Sequence, residues 1–446
     1  MPQGREILAL NAFERQNAPA RADVRTAVER RLRSFGSGAV LFYREPVRMV
    51  RGEGVWMYDA DGRRYLDVYN NVPSVGHSHP RVVEAIARQA GLLNIHTRYL
   101  NDVVDSYAER LLATFPDPIS QLVLTCTGSE ANDLALRMAR AATGGAGFIV
   151  TQSAYHGNTA AVTDISPSSW PGHVPPAHVR VVPAPDSFRN GHEDPGANFA
   201  RAVDAAADDL ERSGVGFAGL VVDTIFSSDG VYADPPGFLA AAVDIVRMHK
   251  GVFIADEVQP GFGRTGSAFW GFERHGVTPN IVTMGKPMGN GFPMGGLATR
   301  PELLDRFTAQ TKYFNTFGGS PVAAAAGLAV LDVMRDEGLM ENARSVGAYL
   351  MNGLREIGNR HGEIGEVRGA GLFVGLEIVR DRLSKQPAPD IASFVINGLR
   401  DRNILIGAAG PFGTTLKIRP PLCFTREDAD TFITACDAVL DEWQEP

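Results

Sequence analysis

Two apolar, strand-like runs near the middle of the chain each end on a residue that could do chemistry. Val252 to Gln259 reads VFIADEVQ and brings an acidic pair to the point where the run stops. In an open α/β sheet that is the edge at which ligands bind, so Asp256 faces a crevice or caps a turn. Its carboxylate suits the ring nitrogen of a pyridine cofactor, which must stay protonated to draw electrons from a carbanion. The plainer alternative is a turn aspartate. Thirty residues on, Ile281 to Met284 runs into Gly-Lys-Pro and delivers Lys286 to the same kind of edge. A solvated loop lysine is the ordinary reading. Against it, Lys286 lies in TMGKPMGNGFPMGG, an apolar, glycine-rich setting. Such a setting desolvates the amine and lowers its pKa, as a Schiff-base nucleophile requires.

A third run, Leu122 to Cys126, is followed by Thr127-Gly128-Ser129-Glu130 and a helical stretch. Free backbone N–H groups at a helix start form an anion site. Gly128 and Ser129 could therefore cradle a cofactor phosphate, or simply open a capped helix. Tyr155-His156-Gly157 follows the next run and could lay an aromatic face on a flat ring; a packed tyrosine beside a satisfied histidine is the alternative. GFGRTG, at 261–266, matches the G-x-G-x-x-G pattern of dinucleotide sites but fails on context. It begins well after its strand, no clean helix follows, and the position where an acid is needed holds Lys286. His77-Ser78-His79 has the spacing for one strand face, but it lacks Cys, Asp or Glu companions, and no metal is expected.

These residues need a scaffold that brings strand ends together. The middle of the chain alternates short β-branched runs with longer helix-like stretches, the pattern of a mostly parallel sheet flanked by helices. Seven strands are expected: Leu122 to Cys126, Phe148 to Thr151, Val179 to Val182, Leu220 to Thr224, Val252 to Ala255, Ile281 to Met284 and Gly296 to Thr299. Helices are expected between them, at Ala131 to Ala142 and Ala197 to Arg212. Earlier, Asp61-Gly62 separates two strand-like runs and predicts a hairpin over Trp56 to Val68. After Pro321 come two long helices, a strand pair over Gly365 to Val379, a helix near Ile391 to Arg402, a strand at Leu416 to Arg419 and a final helix. The expected division is 71–320 as a large domain, with 1–70 and 321–446 forming a smaller α+β domain built from both termini.

The 446 residues are 44% hydrophobic and 21% charged, the balance of an ordinary globular protein with ample core. A net charge of −8 with no long basic run gives neither nucleic acid nor an anionic membrane surface any electrostatic support. Cys126, Cys423 and Cys436 stand far apart, which fits a reducing cytoplasm and no disulfide framework. The opening MPQGREILAL has no export signature, and no run is long enough to cross a bilayer.

The chain resembles the class III aminotransferases, which depend on pyridoxal 5′-phosphate (PLP). TGSEAN (127–132), YHG (155–157), IADEVQPGFGRTG (254–266), TMGKPMGNG (283–291) and YFNTFGG (313–319) match that family's motifs in order, over most of the chain from about Val47. The resemblance implies a fold type I PLP-dependent transferase working as a homodimer. It implies that Lys286 carries PLP as a Schiff base, Asp256 pairs its pyridine nitrogen, Val258 packs under the ring and Gln259 reaches the ring hydroxyl. Gly128 and Ser129 would hold the phosphate, Tyr155 would stack on the ring with His156 beside it, and Thr316 would reach the phosphate of the partner subunit.

Within that family the chain is similar to the phospholyases of phosphoethanolamine and phosphohydroxylysine, through NNVPSVGHSHP (70–80), TRYLND (97–102), DISP (164–167) and LKIRPPLCFTREDA (416–429). That likeness implies release of phosphate and ammonia from a small phosphorylated amine. The alternatives are amine transfer to a 2-oxo acid and a PLP-binding scaffold without catalysis. Asp223 stands where the family usually has Glu. Strand alternation puts Lys417 and Arg419 on one face, and Arg419 is the anion-binding candidate, for a phosphate or a carboxylate. Tyr43 resembles the family's aromatic wall of the substrate pocket, with core packing as the alternative.

Overall fold

The seven expected strands pair into one sheet. From edge to edge they run Gln121–Thr125, Gly295–Thr299, Ile281–Met284, Val252–Asp256, Phe217–Val222, Gly147–Thr151 and Val179–Val182. The computed structural model describes residues 12–14, 19–170, 172, 174–190 and 194–444. The opening MPQGREILAL and parts of the 167–195 loop lie outside the described residues. All pairings in the sheet are parallel except those of Gly295–Thr299, which is antiparallel to both neighbours.

The strands are apolar almost throughout because both faces are covered. Along Val252–Asp256, Val252 and Ile254 join one core while Phe253 and Ala255 join the other, the two-residue period of a sheet buried on both sides. Each such Val, Ile or Phe side chain contributes roughly 1.5–3 kcal/mol by leaving water. Helix Gly128–Thr143 covers one face with Leu134, Ala135 and Met138. Helices Pro195–Arg212 and Ala240–Met248 cover the other with Phe199, Val203, Val243 and Val246.

The hairpin forms from Trp56–Asp59 and Arg64–Asp67, and Gly62 in its turn has φ 80°, a conformation that favours glycine. Met49–Glu53 extends it on one side and Ile404–Leu405 joins it on the other, parallel to Arg64–Asp67. Residues from both ends of the chain thus share one sheet. A third sheet pairs Ile364–Ala370, Phe373–Ile378, Thr415–Ile418 and Gly407–Ala409, all antiparallel. Helices Ala22–Phe35, Pro80–Ala90 and Asp102–Leu112 are additions that the strand-based reading passes over. His77 and His79 each pair with a separate carboxylate, Asp67 at 2.7 Å and Glu337 at 2.9 Å. Among the described residues no helix is long and apolar enough to cross a membrane.

Candidate active site

Val252–Asp256 and Ile281–Met284 are parallel neighbours, with Asp256 opposite Thr283. Asp256 and Lys286 therefore leave the sheet side by side at its C-terminal edge. One cleft there is lined by Gly128, Ser129, Tyr155, His156, Gly157, Asp223, Asp256, Val258, Gln259 and Lys286. Each comes from a segment that follows a strand, which is where an open α/β sheet places a ligand site.

Asp256 is 4% exposed, and three donors hold it. His156 Nδ1 donates to Oδ2 at 2.7 Å, Asn132 Nδ2 donates to Oδ2 at 3.0 Å, and the Val258 backbone N–H donates to Oδ1 at 3.1 Å. Asn132 is itself held by the Thr283 hydroxyl, 2.7 Å from its Oδ1. A carboxylate fixed this way presents charge in one direction without reorganising. The adjacent Glu257 points to the other face of the strand, where it accepts from the backbone N–H groups of Gly271 and Phe272 and from Thr224. The acidic pair thus divides into one residue for the cleft and one for the fold.

Burial pushes the Lys286 amine down from 10.5 to about 8, and the positive charge of Arg419 adds to the shift, while Asp256 and Asp223 oppose it. A lysine held there is largely neutral above that pH, and the neutral amine is the nucleophile.

The cleft fits PLP. Thr127 and Glu130 form a reciprocal capping box at the start of Gly128–Thr143, with Glu130 Oε2 also accepting from the Cys126 N–H at 2.7 Å. That leaves the first-turn N–H groups of Gly128 and Ser129 aimed outward as an anion cradle. Glycine at 128 allows the close approach of Val258, because an added Cβ would lie 2.8 Å from Val258 Cγ2 and force it to shift. At Gly157, φ is 142° and an added Cβ would lie 2.5 Å from Ser129 Oγ. The helix-start N–H groups at Gly128 and Ser129, the apolar Val258, the fixed Asp256 carboxylate and the desolvated Lys286 sit around one space.

Of the residues singled out in the sequence, Lys286, Asp256, Gly128, Ser129, Tyr155, His156, Val258 and Gln259 all line this cleft. Gln259 has both amide ends committed to the chain: Nε2 donates to Ser227 Oγ at 2.6 Å and Oε1 accepts from Arg419. An amide nitrogen carries two N–H donors and its oxygen two lone pairs, so the ring-hydroxyl contact expected of Gln259 is compatible with both bonds. Arg419 reaches the cleft through that contact, and also donates to Asn71 Oδ1 at 2.9 Å. Tyr43 is not brought to the cleft. It packs in the core at 7% exposure and donates its hydroxyl to the Ile406 carbonyl at 3.0 Å, which is the core-packing alternative. Thr316 is exposed on the loop after helix Pro301–Gln310 and takes no part in lining this cleft.

Asn132, which has no role assigned from the sequence, is a polar residue on a helix face otherwise made of the buried Ala135, Leu136 and Ala139. That break in the apolar pattern is the signal for it.

The aminotransferase class III family profile matches residues 42–440. An alanine–glyoxylate aminotransferase 2-like protein of Drosophila melanogaster is 39% identical, covering 97% of this chain and 89% of its own. The ethanolamine-phosphate phospho-lyase homolog 1 of Caenorhabditis elegans is 38% identical, covering 95% of each. Among solved structures, a phospholyase from Arthrobacter in complex with phosphoethanolamine superposes with a TM-score of 0.90 at 44% identity, covering 94% of this chain and 100% of that one. Family match, fold and cleft agree: the chain belongs to the class III aminotransferases and is a PLP-dependent enzyme of fold type I.

Proposed function

We propose that the enzyme is a phospholyase that converts a small O-phosphorylated amine such as phosphoethanolamine to an aldehyde, ammonia and phosphate. The observation that carries this reading is Arg419. It is 7% exposed, its guanidinium bonds to the neutral amides of Asn71 and Gln259, and its Nε has no partner. Among the described residues it enters no ion pair with a carboxylate. A buried cation so placed is completed by an anion from outside. The phosphoethanolamine bound to the 44% identical Arthrobacter phospholyase supports phosphate as that anion.

PLP, when bound, draws electrons away from the carbon that carries the substrate nitrogen. In our reading Lys286 holds the cofactor and later takes the proton from that carbon, Asp256 faces the ring nitrogen, and Gly128 and Ser129 hold the cofactor phosphate. Tyr155 and Val258 enclose the ring from its two faces, and His156 and Asn132 keep Asp256 in place. Loss of the proton drives out the phosphate on the neighbouring carbon, and the C–O bonding pair leaves with the oxygen. With one water, phosphoethanolamine yields acetaldehyde, ammonia and phosphate, with no net oxidation.

The second reading is transfer of the amine to a 2-oxo acid. The aminotransferase name of the Drosophila relative favours it, and Arg419 would serve a carboxylate as well. Incubation with phosphoethanolamine and no 2-oxo acid separates the two. Stoichiometric phosphate and acetaldehyde are expected; turnover that demands pyruvate or 2-oxoglutarate would establish transfer instead. We further read the enzyme as a cytoplasmic homodimer whose Thr316 loop completes the partner's site.

A further inference from the structure

Lys417 shares a strand face with Arg419 and is 3% exposed. Among the described residues its ammonium donates no hydrogen bond and joins no ion pair. Its in-register neighbours are Gly375 on one flanking strand and Gly407 on the other, so no side chain flanks it across either pairing. The Phe373 ring centre is 5.7 Å from Nζ, and among the charges that act on Lys417, Asp223 and Asp229 favour its ammonium while Arg419 and Lys286 oppose it. Asp223 and Lys286 line the cleft themselves. Burial first, then Arg419, holds the Lys417 amine well below the ordinary lysine range. Burial likewise raises Asp223, which accepts from Ser227 and from the Ile225 N–H and is drawn back down by Lys417.

A buried lysine with no hydrogen-bonded partner is costly to keep. One guanidinium fork satisfies a carboxylate, which carries a single charge and two oxygens. A phosphate monoester brings about −1.5 to −2 charge and three acceptor oxygens, more than Arg419 alone can match. We propose that Lys417 is the second cation of the phosphate subsite, meeting the substrate phosphate beside Arg419, with Asp223 as the carboxylate that faces it when no phosphate is bound. The proposal rests on the phosphate reading of the substrate and adds what selects phosphate over carboxylate. As the C–O bond breaks and its electron pair moves to the leaving oxygen, the phosphate gains charge, and an ammonium already in contact stabilises it.

The test uses PLP-loaded enzyme and calorimetric titration with inorganic phosphate and, separately, with 3-aminopropanoate, an amine bearing a carboxylate. Lys417→Met is expected to weaken phosphate about 10- to 100-fold, the range of one charge-assisted hydrogen bond, and to change 3-aminopropanoate less than about 3-fold. Unchanged phosphate binding, or equal weakening of both anions, overturns the proposal. Asp223→Asn removes the competing carboxylate and is expected to tighten phosphate several-fold. Should Lys417→Met fail to fold or hold cofactor, an Asp223→Asn enzyme with unaltered phosphate affinity overturns it instead. Phosphate release by the unsubstituted enzyme reports on the lyase reading separately, so the two can fail independently.

Discussion

At the scale of single residues, the chemistry follows from how far burial moves one amine. Lys286 is pushed from 10.5 down to about 8, so its neutral, nucleophilic fraction grows as pH rises through 8 and is nearly complete well below 10.5. The rate at which apoenzyme takes up PLP, followed by absorbance, is therefore expected to rise with pH and level off near 9. A rate still climbing towards 10.5 would mean that the amine is solvated. Arg419 meets burial differently, because its guanidinium carries five N–H donors and no acceptor. It must find acceptors, and the chain offers it two neutral amides.

At the scale of elements, the site depends on how closely a helix start approaches a strand end. Gly128 lies against Val258, and an added methyl would meet Cγ2 at 2.8 Å. Gly128→Ala is expected to cost about 1–3 kcal/mol in overpacking and, by shifting the cradle, to weaken PLP binding about 5- to 100-fold. Spectrophotometric titration measures this, with circular dichroism as the check on folding; cofactor affinity within 2-fold of the parent would contradict the cradle. The strands and the residues that their ends bring to the cleft were legible because they depend on local pattern. Val252–Asp256 and Ile281–Met284 are short and mostly apolar, the first ending on an acid and the second followed two residues on by Lys286, residue types that apolar cores do not tolerate. What pattern could not reveal depends on contacts between distant segments. Tyr43 donates to the carbonyl of Ile406, Gln259 is spanned between Ser227 and Arg419, and Lys417 is set between Gly375 and Gly407 only through the pairing of three antiparallel strands. No spacing within one segment encodes such meetings.

At the scale of the whole molecule, two loops carry apolar side chains that the single chain leaves in water. Leu92 is 75% exposed, Leu100 97% and Phe317 73%. The loops meet through Phe314, whose ring receives the edge of His96 at 6.0 Å and the guanidinium of Arg98 at 3.9 Å. Exposed apolar surface of this kind marks an interaction face, and Thr316 lies within it. We expect sedimentation to give about twice the 48.0 kDa chain mass. Paired substitutions Leu100→Glu and Phe317→Glu should shift the enzyme to monomer and remove most turnover. A fully active monomer would contradict a site shared between subunits.

Lys286 is the lysine that lines the cleft, and Lys417 is a second buried lysine. Borohydride reduction of the PLP-loaded enzyme, followed by proteolysis and mass spectrometry, shows which amine holds the cofactor. The label is expected on the peptide containing Lys286, with Lys417 unmodified. A label on Lys417, or none on Lys286, would contradict the assignment of every residue around the ring.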